Sequence, residues 1–141
     1  MWMPFKQRNR RVARAEMIGS FPIGCGVDVV ELSRFTRAMQ RGGRAFLRRV
    51  FTPQEEAYAR ARPRTQLLHL AGRFAAKEAV IKAMAQIDPG HPLLMRQVEI
   101  RNDRLGRPHI ALHDGRRRRV RVHVSLSHVK TVAVASAIAV R

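Results

Sequence analysis

With 141 residues the chain is long enough for one domain and too short for two comfortable ones. Hydrophobic residues make up 45% and charged residues 27%, an ordinary globular balance that argues against disorder. The 28 Lys and Arg residues against 10 Asp and Glu give a net charge of +18, so the surface must meet something anionic: nucleic acid, a membrane surface, phosphate groups or an acidic protein.

One cysteine, Cys25, excludes an internal disulfide framework and a cysteine-based zinc site, and fits a reducing, cytoplasmic setting. No apolar run reaches the roughly 18 residues that span a bilayer. The N-terminal basic stretch is not followed by an apolar segment of signal-peptide length.

Residues 1–22 lack a period and read as a mobile basic extension; residues 23–141 read as the domain. From Ile23, the alternation of Ile23, Cys25, Val27 and Val29 with Gly24, Gly26, Asp28 and Val30 predicts a half-buried strand. Asp28 then points away from the face that carries Val27 and Val29. Gly24 and Gly26 leave room for another element or a ligand to come close. Leu32, Phe35, Thr36 and Met39 predict a helix that Gly42-Gly43 stops, with Arg34, Arg37 and Arg41 sharing one face. Thr52-Pro53-Gln54-Glu55 is a capping box that opens a second helix, closed by Pro63. Residues 65–86 give the longest helical pattern, rich in Ala, Leu and Lys, and Asp88-Pro89-Gly90 ends it. The last third reads as strands. Val98 and Ile100 lead into a loop over 102–108. Residues 109–113 and the strand after Asp114-Gly115 read as a hairpin with a two-residue turn. Thr131 to Val140 forms a last strand whose alanine face suits close packing on a helix. The expected class is α+β: an antiparallel sheet packed on helices.

Acids are scarce, so each one in an organised place is informative. Asp28 ends a glycine-lined strand, and Glu78 sits inside the longest helix with Lys82 four residues on. Arg73 and Lys77 form an adjacent i, i+4 stripe. Spacing alone leaves two readings open. One is an ordinary surface ion pair between Glu78 and Lys82, worth about 0.3–0.5 kcal/mol. The other is a magnesium and phosphate site, with Asp28 and Glu78 supplying hard oxygen ligands and Lys82, Lys77 and Arg73 balancing phosphate charge.

Residues 24–35 (Gly-Cys-Gly-Val-Asp-Val-Val-Glu-Leu-Ser-Arg-Phe) resemble the opening motif of holo-acyl-carrier-protein synthases, the small phosphopantetheinyl transferases. Residues 72–83 (Gly-Arg-Phe-Ala-Ala-Lys-Glu-Ala-Val-Ile-Lys-Ala) closely match the second signature of that family. Asn102 to Pro108 and His123 to His128 fit by position, so the resemblance spans residues 23–140. It implies the 4′-phosphopantetheinyl transferase fold. The reaction implied is transfer of 4′-phosphopantetheine from coenzyme A to a serine of an apo acyl carrier protein, releasing adenosine 3′,5′-bisphosphate. It also implies Mg²⁺, a place in fatty acid biosynthesis, and a homotrimer with sites between subunits.

Carried over by motif position, Asp28 and Glu78 are the metal ligands, with Glu78 the candidate base. Lys82 contacts the diphosphate or the bound pantetheine phosphate. Arg73 and Lys77 lie near coenzyme A phosphates, Gly106 to Pro108 line the adenine end, and His128 approaches the nucleotide from its own or a neighbouring subunit. An acidic carrier protein explains the net charge, and the Arg34, Arg37 and Arg41 face is the expected dock. The chain departs from the family where a Gly-Thr-Gly turn follows the second signature: Met84 to Pro92 stands there instead, near the expected pantetheine phosphate. The run Arg116 to Arg119 and the N-terminal extension are also unusual. The rival is a basic nucleic-acid-binding module. It explains the charge but not the ordered acids, and with 6% aromatic residues no base-stacking platform is visible.

Overall fold

The computed structural model describes residues 22–141, so the expected extension, residues 1–22, falls outside them except for Pro22. Strand β1 (Ile23–Glu31) leads directly into helix α1 (Leu32–Val50), followed by α2 (Pro53–Arg60) and the long α3 (Gln66–Ile87). Strands β2 (Val98–Asn102), β3 (Pro108–Leu112), β4 (Arg121–His128) and β5 (Val132–Val140) complete the chain. The architecture is α+β, with a three-stranded antiparallel sheet in the order β1-β5-β4 and a separate β2-β3 hairpin.

Helix α3 is the axis of the molecule. Its alanines Ala71, Ala75, Ala76, Ala79 and Ala83 are fully buried, as are Ala133 and Ala139 of β5, so strand and helix meet with almost no side chain between them. That closeness explains the glycines of β1. A Cβ on Gly24 would lie 2.0 Å from the Ala83 carbonyl oxygen, and one on Gly26 equally close to that of Ala79. Elsewhere in the core Phe35 packs against Phe46, Phe74 and the fully buried Phe51.

The capping box forms as expected. Thr52 Oγ1 accepts from the Glu55 amide, and Glu55 Oε2 accepts from the Thr52 amide at 2.9 Å. In β1, Asp28 lies on the face opposite Val27 and Val29, as expected; the buried face is the one with the glycines and Val30, and Val27 and Val29 are 57% and 64% exposed, because only glycine lets the strand lie against the α3 backbone. Two expectations are corrected. Gly42-Gly43 does not stop the first helix: Gly43 kinks it (φ 52°), and it resumes through Val50. The Asp114-Gly115 hairpin does not form either. Strand β3 pairs with β2, and β4 pairs with β5. Arg117 is the reason: its buried guanidinium bonds Asp114, the His91 carbonyl and Asp88 (3.1 Å), which pulls the segment into a loop against the end of α3. Among the described residues, no helix is long and apolar enough to cross a membrane.

Candidate active site

Asp28 and Glu78 are brought to one seam, where β1 runs along α3. Lys82 completes it, with Nζ donating to Asp28 Oδ1 at 2.8 Å and to the Val27 carbonyl at 3.0 Å. The i, i+4 pair of Glu78 and Lys82 therefore does not close on itself; the lysine reaches across to the strand. The hydrogen bond from Lys82 to Asp28 holds the ammonium above its ordinary pKa. Burial raises the Glu78 pKa, and the neighbouring Asp28 charge raises it further. Two carboxylates thus share the seam with a single ammonium.

This donor set fits a divalent ion such as Mg²⁺, which takes one or two carboxylates and fills its other positions with phosphate oxygens and water. Among the described residues no group of three or more His, Cys, Asp or Glu gathers, so a closed all-protein metal cage is not offered.

Beside Asp28 opens a hollow of about 530 Å³. Arg34, Arg37 and Arg41, one stripe of α1, line it together with Phe35, Phe46 and Phe74. The hollow is cationic along one side and aromatic on the other.

A second cleft, of about 340 Å³, lies elsewhere along α3 and gathers Arg73, Gly106, Pro108 and His128. Arg73 is buried, donates to Asn102 Oδ1 at 2.7 Å and stacks 4.0 Å over the Tyr58 ring; its Nε has no partner among the described residues. Asn102 in turn donates to the Gly106 carbonyl at 2.9 Å. Asp103 ties down the rest of the loop by accepting from the Leu105 and Arg107 amides, so Gly106 can take its left-handed turn (φ 79°). Tyr58 and His69 belong to this cleft and were not singled out from the sequence; Asn102, which opens the segment that fits by position, belongs to it as well. Tyr58 and His69 lie on different helices, and no spacing pairs them. Burial and the nearby Arg73, Arg62 and His128 keep the His69 pKa low.

Lys77 is corrected. Its side chain has no exposed surface, and Nζ sits 2.7 Å from Glu55 Oε2 while donating to the carbonyls of Met95 (3.1 Å) and Val98. With all three donors spent inside the core, it has no face for a phosphate. Arg73 and Glu78 are five residues apart, about 140° around the helix, so the cleft and the carboxylate seam lie on different flanks of α3.

The sequence profile of the 4′-phosphopantetheinyl transferase superfamily (ACPS) matches residues 24–137. A holo-[acyl-carrier-protein] synthase of Chlorobaculum parvum is 40% identical over 80% of this chain and 94% of its own. That of Moorella thermoacetica is 43% identical over 80% and 90%. Among solved structures, the Chronobacterium ammoniagenes ACPS-CoA complex superposes with a TM-score of 0.71 at 32% identity, covering 83% of this chain and 96% of that one. The Bacillus anthracis holo-(acyl-carrier-protein) synthase in complex with CoA (3′,5′-ADP) gives 0.70 at 30%, covering 86% and 98%. Sequence signatures, α+β topology and these likenesses agree, and the chain belongs to the ACPS family of the 4′-phosphopantetheinyl transferase superfamily.

Proposed function

We propose that this protein transfers 4′-phosphopantetheine from coenzyme A to a serine of an acidic apo acyl carrier protein of fatty acid biosynthesis, in the cytoplasm, releasing adenosine 3′,5′-bisphosphate. The observation that carries the proposal is the seam itself: two acids fifty residues apart in sequence meet around one lysine. Residues 23–141 are the transferase domain in this reading, and residues 1–22 an extension outside it.

Asp28 and Glu78 would hold Mg²⁺, which supplies charge neutralisation on the diphosphate oxygens when bound. Lys82 has three donors and spends two on Val27 and Asp28; the third is left for a phosphate oxygen. The serine Oγ attacks the phosphorus that bears the pantetheine arm. The bond from that phosphorus to the bridging oxygen breaks, and the nucleotide leaves with the oxygen. Glu78 is the candidate to accept the serine proton.

The nucleotide end belongs in the second cleft, against Arg73, Gly106, Pro108 and His128. Cleft and seam lie on different flanks of α3, so a second copy of the chain must bring its cleft to this seam. The outer face of the sheet is a surface for that contact. Ile23, Val27, Val29 and Ile138 are 52%, 57%, 64% and 51% exposed on one continuous apolar patch, which soluble chains normally cover. A homotrimer burying this face is the assembly we propose. The carrier protein docks on Arg34, Arg37 and Arg41, with its acidic helix on the arginines and an apolar side chain in the hollow over Phe35, Phe46 and Phe74.

The test is direct. Apo carrier protein incubated with the protein, coenzyme A and Mg²⁺ should gain the mass of phosphopantetheine on one serine, and EDTA should prevent it. No mass gain, from a carrier that a relative does modify under the same conditions, would refute the reaction. Steep salt-sensitive RNA binding in its place would favour the nucleic-acid rival.

A further inference from the structure

Strand β1 is at an edge of its sheet, so one row of its backbone groups has no strand partner among the described residues. Helix α3 supplies the partners from its side chains. Gln86 Oε1 accepts from the Cys25 amide at 3.1 Å, and Gln86 Nε2 donates to the Cys25 carbonyl, so one side-chain amide pairs with a residue as a neighbouring strand would. One turn back along α3, Lys82 donates to the Val27 carbonyl. The spacing matches by arithmetic. Four helical residues advance about 6 Å, and two strand residues advance about 6.6 Å, so i, i+4 on α3 meets i, i+2 on β1. One further step along both elements reaches Glu78 and Val29, the neighbour of Asp28.

We infer that Gln86 is a positioning residue: its paired hydrogen bonds to Cys25 set the register of α3 against β1 and thereby hold Lys82 and Glu78 opposite Asp28. This rests on the proposed transferase reading and deepens it. It also gives a role to the segment Met84 to Pro92, where the chain departs from the Gly-Thr-Gly turn of the family it resembles. In this chain α3 runs through Ile87, and its last turn carries Gln86, the clamp for the strand edge.

Gln86 touches no reacting group in this reading, so it acts only through Lys82 and Glu78. The glycines make such a clamp necessary. Gly24 and Gly26 bring β1 onto the α3 backbone but contribute no side chain that resists sliding along it.

The experiment compares the full chain with Gln86→Met, which keeps bulk without the hydrogen bonds, and Gln86→Glu, which keeps the acceptor for the Cys25 amide and loses the donor. In Gln86→Met, exchange of the Cys25 amide hydrogen should accelerate about tenfold, as expected for one lost hydrogen bond. Under saturating carrier protein, kcat should fall about three- to tenfold while KM for coenzyme A stays within about twofold, because orientation is lost and binding is not. Gln86→Glu should fall between the two. In a Lys82→Ala background, Gln86→Met should cost little more, since the two act as one unit. Unchanged Cys25 exchange, unchanged kcat, or a full additional loss in the Lys82→Ala background would each overturn the inference.

Should the wild type show no transfer at all, the transferase reading falls, and the clamp is then judged on the exchange of the Cys25 amide, which needs no turnover: an exchange rate in Gln86→Met equal to that of the wild type would overturn the clamp independently of the reaction.

Discussion

Lys77 and Lys82 stand five residues apart on the same helix, and both have an acid as their closest ionic partner. Lys77 meets Glu55 with neither side chain exposed; Lys82 meets Asp28 with about half of its own side chain in solvent. The first pair is also saturated, since Glu55 accepts from the Thr52 and Ile100 amides and Lys77 from its side donates to two carbonyls. The second is open, with a lysine donor and the Glu78 carboxylate unspent. One helix thus carries a pair that staples α2 and β2 to the core and a pair that, in our proposal, meets the diphosphate. What separates a structural charge from a functional one here is the number of bonding positions left over.

Breaking each pair should expose that difference. Lys77→Met leaves Glu55 buried and unpaired, and should cost about 3–5 kcal/mol in a denaturant titration. Replacing both partners (Glu55→Leu with Lys77→Met) should recover part of that loss, although the capping box goes with Glu55. If Lys77→Met were as stable as the wild type and lost only coenzyme A binding, the original phosphate assignment would be restored.

Lys82→Ala should behave in the opposite way. Its exposed pair contributes no more than about 1 kcal/mol, so the unfolding midpoint should hardly move. Its transfer rate should drop about 10²–10³-fold, the usual loss when one pre-set electrostatic partner is removed. Glu78→Ala should match it in rate and also lose its Mg²⁺ dependence. A Lys82→Ala protein that unfolds readily, or that turns over normally, would erase the contrast between the two lysines.

The contrast was only partly legible in the sequence. The motifs located Asp28, Glu78 and Lys82, and the glycines announced a close approach to β1. Nothing in the spacing showed that Lys77 points inward, because its partners Glu55, Met95 and Val98 arrive from three other segments. Thr52 and Glu55 were readable as a capping box since that device is local. The second job of Glu55, accepting from Ile100 45 residues away, is not local. The alternation of β1 was legible, but it does not say which face is buried: a helix lined with alanine admits only the glycine face, and the valines are left for a partner copy in our proposal. The misread hairpin at Asp114-Gly115 failed on Arg117, whose partners Asp88 and His91 lie across the fold.

Titration sharpens the same comparison at lower amplitude. The folded-state pKa of Glu78 is raised above the usual 4.5, first by burial and then by Asp28. The folded protein therefore holds this proton more tightly than the unfolded chain does. The resulting stabilisation is fully present below the unfolded pKa and is lost as pH rises through the folded one. Glu78→Gln should remove that slope, so the stability difference between variant and wild type, without metal, should grow in the variant's favour as pH rises from about 4 to 7. Mg²⁺ must displace the proton, so its apparent affinity should weaken on the acid side at a pH above the ordinary glutamate range. A metal affinity flat across that window would remove Glu78 from the ligand set.

The smallest effect belongs to the arginine stripe, which in our proposal touches the carrier protein and none of the reacting atoms. Arg37→Glu reverses one charge on the rim of the hollow beside Asp28. Rim charges act mostly on the rate of encounter, so kcat/KM for the carrier protein should fall about tenfold at low salt, with KM for coenzyme A unchanged. Exposed charges are screened within about 8–10 Å at physiological ionic strength, so the deficit should shrink as salt is added. A substitution to leucine at Phe46, on the aromatic side of the same hollow, should instead show a deficit that salt does not relieve. If Arg37→Glu lowered the use of coenzyme A and carrier protein equally, the stripe would belong to the nucleotide and the dock would lie elsewhere.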